Sequence, residues 1–314
     1  MNLALEQAIQ ILPLRLREAV RESVSDAEEL HLRSGRVFTF CGPTGRERPV
    51  LRSGREVLVT GEELRLTLEL ATRASYHTVL EKLSAGFLPL PGGHRLGITG
   101  TADVRNGGIH GFRTLSSLCL RVAHPVRGMA DNLARTLFAR TVPCSALILS
   151  PPGGGKTTLL RELLRLASDR YGLRPSLADE RGEVAGLWNG VPQLDVGAHT
   201  DVLDGCTKAR GLMMLLRSMS PQLLAADEIT AREDILALSG AANCGVAVLV
   251  TAHAGSVAEL CQRPLYRALM GEGIFSHAVL IHRERGERRR YELVELGSSS
   301  AGGRERAAGG TVDL

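Results

Sequence analysis

Lysine, threonine, histidine and two acidic pairs, each set at the end of an apolar run, are the residues of this chain best placed to do chemistry. An apolar run of strand length, residues 146–149, feeds Ser150-Pro-Pro-Gly-Gly-Gly-Lys-Thr-Thr158, a turn of two prolines and three glycines. Beyond Lys156, apolar Leu159, Leu160, Leu163, Leu164 and Ala167 recur at helical spacing. The order is strand, glycine loop, helix. Glycines let successive backbone N–H groups turn inward, so the loop from Ser150 through Pro151, Pro152, Gly153, Gly154 and Gly155 to Thr158 can wrap a polyphosphate at the helix's positive end. In the pattern G-x-x-x-x-G-K-[ST], Lys156 reaches the β- and γ-phosphates of ATP and Thr157 holds Mg²⁺ through its hydroxyl. Ser150 replaces the first glycine of that pattern, which serine tolerates while φ stays negative.

Further along, Gln222-Leu-Leu-Ala-Ala-Asp-Glu-Ile229 is an apolar strand closing on Asp227 and Glu228. With the upstream loop it reads as the Walker B acid pair, Asp227 in the Mg²⁺ shell and Glu228 polarising the attacking water. Pro175-Ser-Leu-Ala178 likewise runs into Asp179 and Glu180. In a parallel sheet the strand ends beside a phosphate loop form the ligand crevice, so these two either orient metal-bound water or the nucleotide, or else cap the next turn. His253 closes the apolar strand that starts at Gly245, a position suited to sensing the γ-phosphate; backbone satisfaction of its ring is the plainer alternative. Arg95 and Arg121 come from neighbouring strand segments, with Arg113 just before the second. They either solvate a sheet or aim at phosphate in a neighbouring subunit.

The elements that must carry these residues fall into two parts. Residues 3–24 read as two short helices broken at Pro13, followed by strands at 29–33, 37–41 and 57–59, with Gly-Pro-Thr-Gly at 42–45 as a turn. Helices are predicted at 61–74 and 76–84, then a glycine turn into a long strand, a hairpin at Gly107-Gly108 and a second strand at 117–123. A boundary falls near residue 125: an N-terminal domain over 1–125, a linker with a connecting helix over 126–144, and a phosphate-loop domain over 145–296. Residues 188–207 show almost no periodicity and read as a long loop. Residues 278–282 and 289–294 form a closing hairpin, and the Gly-, Ser- and Arg-rich segment 297–314 reads as disordered.

At 314 residues the chain is long enough for two cores. Basic and acidic residues number 16 and 13 over residues 1–125, and 22 and 21 beyond, so neither part is a polyanion binder by charge. Aromatics at 4% leave few platforms for stacking bases. The six cysteines lie far apart with no C-x-x-C pair, and read as buried, reduced thiols of a cytosolic protein rather than a disulfide or zinc framework. Glu6 inside the first apolar stretch argues against a secretory signal, and no apolar run approaches the roughly 18 residues of a membrane span.

Five separated segments, in order, carry a resemblance: Leu90-Pro-Gly-Gly-His-Arg-Leu-Gly-Ile-Thr-Gly100, Ser150 to Arg161, Val191-Pro-Gln-Leu-Asp-Val-Gly197, Thr200-Asp-Val-Leu-Asp-Gly-Cys206 and Met214-Leu-Leu-Arg-Ser-Met-Ser-Pro221. Together they resemble the stage III sporulation protein AA family, within the broader group of secretion and pilus-motor ATPases, where serine at position 150 is usual. The resemblance implies an α/β fold: a RecA-like P-loop ATPase domain with a smaller α+β N-terminal domain. It also implies ATP hydrolysis with Mg²⁺, a homo-oligomeric ring, expected to be a hexamer, and membrane proteins of a sporulation channel complex as partners. The place would be cytoplasmic, peripheral to the membrane through those partners, with no nucleic acid expected. In related motors Asp179-Glu180 matches an acidic box, Thr251-Ala-His253 a histidine box, and the strands bearing Arg95 and Arg121 those that reach a neighbour's γ-phosphate. His199 stands where arginine is expected, and Thr230 where glycine is usual. Two alternatives of other classes are a nucleic-acid translocase on the same core and a nucleotide-gated scaffold with little turnover.

Overall fold

The computed structural model describes residues 2–72, 87–105, 108–124, 127–283 and 289–296. The chain divides into two units, residues 1–125 and 126–314.

The first unit begins with helices α1 (Leu3–Ala8) and α2 (Leu14–Ser23), separated by a 3₁₀ turn over Ile9–Ile11 where Pro13 stops continuous helix. Strands β1 (Glu29–Arg33), β2 (Thr39–Cys41) and β3 (Glu47–Pro49) follow, then the short pair β4 (Leu51–Arg52) and β5 (Arg55–Glu56), helix α3 (Gly61–Thr72), β6 (Phe87–Pro89), β7 (Arg95–Arg105) and β8 (Gly108–Arg121). The antiparallel sheet has the order β3-β2-β1-β8-β7-β6. Alternation decides its faces: Leu30, Leu32, Leu96, Leu118 and Leu120 are buried against Leu5, Ile9, Leu16 and Leu64 of the helices. The residues between them in sequence, Glu29, His31 and Cys119, form the half-exposed opposite face.

Two expectations for this unit change. Residues 57–59 make a single bridge, Leu58 to Val37, although Val57 and Val59 are buried and Leu58 exposed in a strand's alternation. The second long strand starts at Gly108, nine residues earlier than its apolar alternation suggested, since three register shifts in its pairing with β7 break the period-two pattern there. The helix expected at 76–84 and the hairpin turn lie outside the described residues, as do the segments 284–288 and 297–314.

The second unit opens with α4 (Asp131–Phe138), whose Leu133, Ala134, Leu137 and Phe138 pack against the helix after the glycine loop. This helix is therefore part of the second unit's core rather than a free connector. It is followed by β9 (Ala146–Ser150), α5 (Lys156–Asp169), β10 (Pro175–Ala178), β11 (Leu187–Trp188), β12 (Val191–Pro192), β13 (Asp201–Leu203), α6 (Lys208–Ser218), β14 (Leu223–Ala226), α7 (Arg232–Asn243), β15 (Ala247–His253), α8 (Val257–Gln262), α9 (Pro264–Gly271), β16 (His277–Arg283) and β17 (Arg289–Glu295). Its sheet runs β13-β10-β14-β15-β9-β16-β17, parallel except for the last strand. Residues 188–207 are thus not one loop: they hold the hairpin β11–β12 and the edge strand β13, too short to show a period. Ala146 and Ile148 face a core shared with α4 and α5, and Leu147 and Leu149 face one shared with α6 to α9. Helices on both faces of a mostly parallel sheet make this a doubly wound unit. Among the described residues no helix is long and apolar enough to cross a membrane.

Candidate phosphate-loop site

Register assembles the site. Ala178 pairs with Ala226, Ala226 with Val250, and His253 with Ser150, so Asp179, Asp227, His253 and the glycine loop all emerge at the carboxyl edge of adjacent strands. Open parallel sheets bind ligands at this edge.

Each loop glycine has its own reason. Gly153 and Gly155 hold φ at +73° and +95°, and a Cβ on Gly154 would sit 2.2 Å from Ser150 Oγ. Lys156, only 5% exposed, opens α5 and turns its ammonium back into the loop. Nζ lies 3.3 Å from the Ser150 carbonyl oxygen, 3.4 Å from that of Pro151 and 2.8 Å from His253 Nδ1. Burial lowers its pKa, while Glu228 and Asp227 work in the opposite direction. Thr157 Oγ1 donates to Asp227 Oδ2 at 2.6 Å, and Thr251 Oγ1 donates to Asp227 Oδ1 at 2.5 Å.

Glu228 sits in the left-handed region at φ +52°, uncommon for a residue with a Cβ, and its N–H donates to Thr251 Oγ1. Its Oε1 lies 2.8 Å from His253 Nε2 and its Oε2 accepts from Arg181 at 2.9 Å. His253 thus has an ammonium donor at Nδ1 and a carboxylate acceptor at Nε2, which fixes the neutral tautomer protonated on Nε2. The result is a continuous chain: Lys156, His253, Glu228, Arg181.

The two acids after β10 separate. Asp179, 2% exposed, accepts from the backbone N–H groups of Glu183 and Val184 on Oδ1 and of Ala185 and Gly186 on Oδ2. Both oxygens cap the turn that follows the strand, one of the two roles open to this acid from the sequence. Glu180 pairs with Lys208 at 2.6 Å, and with Arg181, Lys208, Asp227 and Glu228 it lines a cleft. Pro151, Pro152 and Gly153 are exposed and Thr158 is half-buried.

Arg95 and Arg121 belong to the first unit, directly opposite each other on β7 and β8. Arg95 stacks 3.6 Å over the Phe87 ring, and Arg121 Nε donates to Glu29 Oε1 at 2.9 Å. The sequence names Thr251 only as the start of the histidine box, and Arg181 and Arg289 not as site residues at all. Thr251 was detectable as a polar residue inside an apolar strand, two positions before His253. Arg289, at the start of β17, lays its guanidinium across Gly155, whose Cβ would be 3.0 Å from its Cζ, and only the hairpin register brings it there.

A family model described as "Sporulation stage III, protein AA" matches residues 4–292. Stage III sporulation protein AA of Bacillus subtilis (strain 168) is 35% identical over 292 residues, 90% of this chain and 92% of that protein. Among solved structures, the Legionella pneumophila ATPase DotB superposes with a TM-score of 0.58 at 19% identity, covering 90% of this chain and 81% of that one. The pilus retraction motor PilT with bound ADP gives 0.62 at 17%, covering 90% and 83%. Those two show the fold, a RecA-like domain with an N-terminal domain, and the sequence match shows the family: the chain belongs to the sporulation stage III protein AA family.

Proposed function

We propose that the chain is an ATP-hydrolysing motor of a sporulation secretion or channel complex, acting as a ring on the cytoplasmic face of the membrane. The observation that carries this reading is the convergence of Lys156, Thr157, Asp227 and Glu228 on the glycine loop. These residues fit a magnesium triphosphate. The loop has no room for a Cβ at Gly154, its lysine is aimed into its centre, and the Thr157 and Asp227 oxygens stand 2.6 Å apart where one cation could join them. Bound Mg²⁺ supplies neutralisation of charge on the β- and γ-phosphate oxygens.

The chain's own residues divide the remaining work. The loop amides and Lys156 bind and orient the phosphates, and Thr157 and Asp227 hold the metal. Thr251 fixes Asp227 and the Glu228 backbone in one position. Glu228 orients the attacking water and takes its proton, with His253 linking its carboxylate to the lysine. Arg95 and Arg121 act in trans, at the γ-phosphate of a neighbouring subunit.

Turnover and nucleotide affinity of the purified chain test this reading. Lys156→Ala is expected to lose binding, whereas Glu228→Gln is expected to keep it and lose at least about a hundredfold in turnover. Equal turnover of the unaltered chain and Glu228→Gln would favour the scaffold alternative.

A further inference from the structure

The work divided among the residues of the phosphate-loop unit leaves Arg289 unused. Strand β16 runs parallel to β9 with Leu280 beside Leu149, so its last residues continue past Ser150, where β9 gives way to the glycine loop. The antiparallel return sets Arg289 opposite Arg283 and starts β17 beside that loop. There the guanidinium lies against Gly155: a Cβ built on this glycine would be 3.0 Å from Cζ, 3.1 Å from Nη1 and 3.2 Å from Nε. Gly155 is the N-cap of α5 and the residue before Lys156. The N–H groups at such a helix start are the ones a phosphate chain meets.

The strand holds the arginine in place. Alternation puts Tyr291 on the same side of β17 as Arg289, and Tyr291 packs against the core shared with α4 and α5. Arg289 is near enough to work against the burial that raises the phenol's pKa. The arginine itself is exposed, so its N–H donors are open to a ligand.

We propose that Arg289 binds the nucleotide in cis, at the α- and β-phosphates rather than the γ-phosphate. The proposal rests on the reading of the glycine loop as a nucleotide site and adds a residue to it. Sheet order decides which phosphates. Strands β14 and β15 lie on one side of β9 and deliver Asp227, Glu228 and His253; β16 and β17 lie on the other. A triphosphate gripped by the loop with its γ end toward the metal-holding and water-activating acids therefore turns its nucleoside end toward β17. Arginine suits that place because its planar fork donates two parallel hydrogen bonds to phosphate oxygens. Hydrolysis leaves the α- and β-phosphates on ADP, so the contact outlasts the reaction, and an interaction made equally before and in the transition state tightens binding without speeding the chemical step.

The test titrates the full chain with ADP and with a non-hydrolysable ATP analogue. Arg289→Ala is expected to weaken both by the same factor, at least about tenfold for a lost charge-assisted phosphate contact, and to raise KM without lowering kcat. Arg290→Ala, which alters the arginine on the other side of β17, should leave both affinities unchanged. A loss confined to the ATP analogue would put Arg289 at the γ-phosphate, and unchanged affinities would take it off the nucleotide. Either overturns the proposal, as does a lower kcat or an equal loss in Arg290→Ala. Lys156→Ala separates this from failure of the underlying reading: binding lost there but kept in Arg289→Ala removes only the role of Arg289, whereas an unaltered chain that binds neither ligand removes both.

Discussion

Arg181 and Glu228 meet at 2.9 Å, with the guanidinium largely exposed and the carboxylate less so. An exposed pair of this kind is worth at most about 1 kcal/mol after solvent screening, yet it holds the one acid assigned to water activation. If the contact belongs to the resting site, Arg181→Ala should raise turnover by up to about fivefold, the rate equivalent of that energy, with nucleotide affinity unchanged. Steady-state turnover beside nucleotide titration measures it. A fall in turnover would place the pair in the working arrangement instead. The residue scale is also where sequence reading reached furthest. Lys156, Thr157, Asp227 and Glu228 announce themselves because a phosphate grip is local in sequence and an acid at a strand end is local too. Asp179 stayed open in the sequence for the same reason, since an acid in that position serves equally well as a cap, the role its four amide contacts show.

At the scale of elements, His94 shows what a turn can hide. It follows Gly92 and Gly93, both left-handed at φ +80° and +76°, and its Nδ1 accepts from the Ala123 N–H, tying the turn before β7 to the chain beyond β8. The ring is 2% exposed, and burial, with help from His124, lowers its pKa to about 4. In the unfolded chain it titrates near 6.5, so below that pH the unfolded state binds more protons. Its contribution is therefore complete above about pH 6.5 and is lost as pH falls towards 4, amounting to about 3 kcal/mol across that interval. Urea unfolding of the unaltered chain and His94→Gln at stepped pH should show a steeper acid loss for the former; parallel curves would reject the assignment. Elements with a long apolar period, such as α5, were legible in the sequence. Those made by pairing were not: β13 is three residues long and exists because β10 offers an edge, and the first part of β8, where register shifts break the alternation, exists because β7 does.

For the whole molecule, the proposed site is divided between the two units, with the loop in the second and Arg95 and Arg121 in the first. If the arginines act across subunits, specific turnover should climb with protein concentration through the range in which the chain assembles. A stricter form mixes two silent proteins. Lys156→Ala keeps its arginines, the Arg95→Ala/Arg121→Ala variant keeps its loop, and together they should recover part of the unaltered rate. Mixtures as inactive as either component would rule out action in trans.

A lysine ammonium has three protons to donate, and in this site two carbonyls and the His253 imidazole are positioned to take them. An incoming anion must displace one of these acceptors. If the one released is the imidazole, the ring is set loose from one side and so is its hold on Glu228. On the proposed function, phosphate contact at Lys156 would thereby reach Glu228 through the imidazole between them.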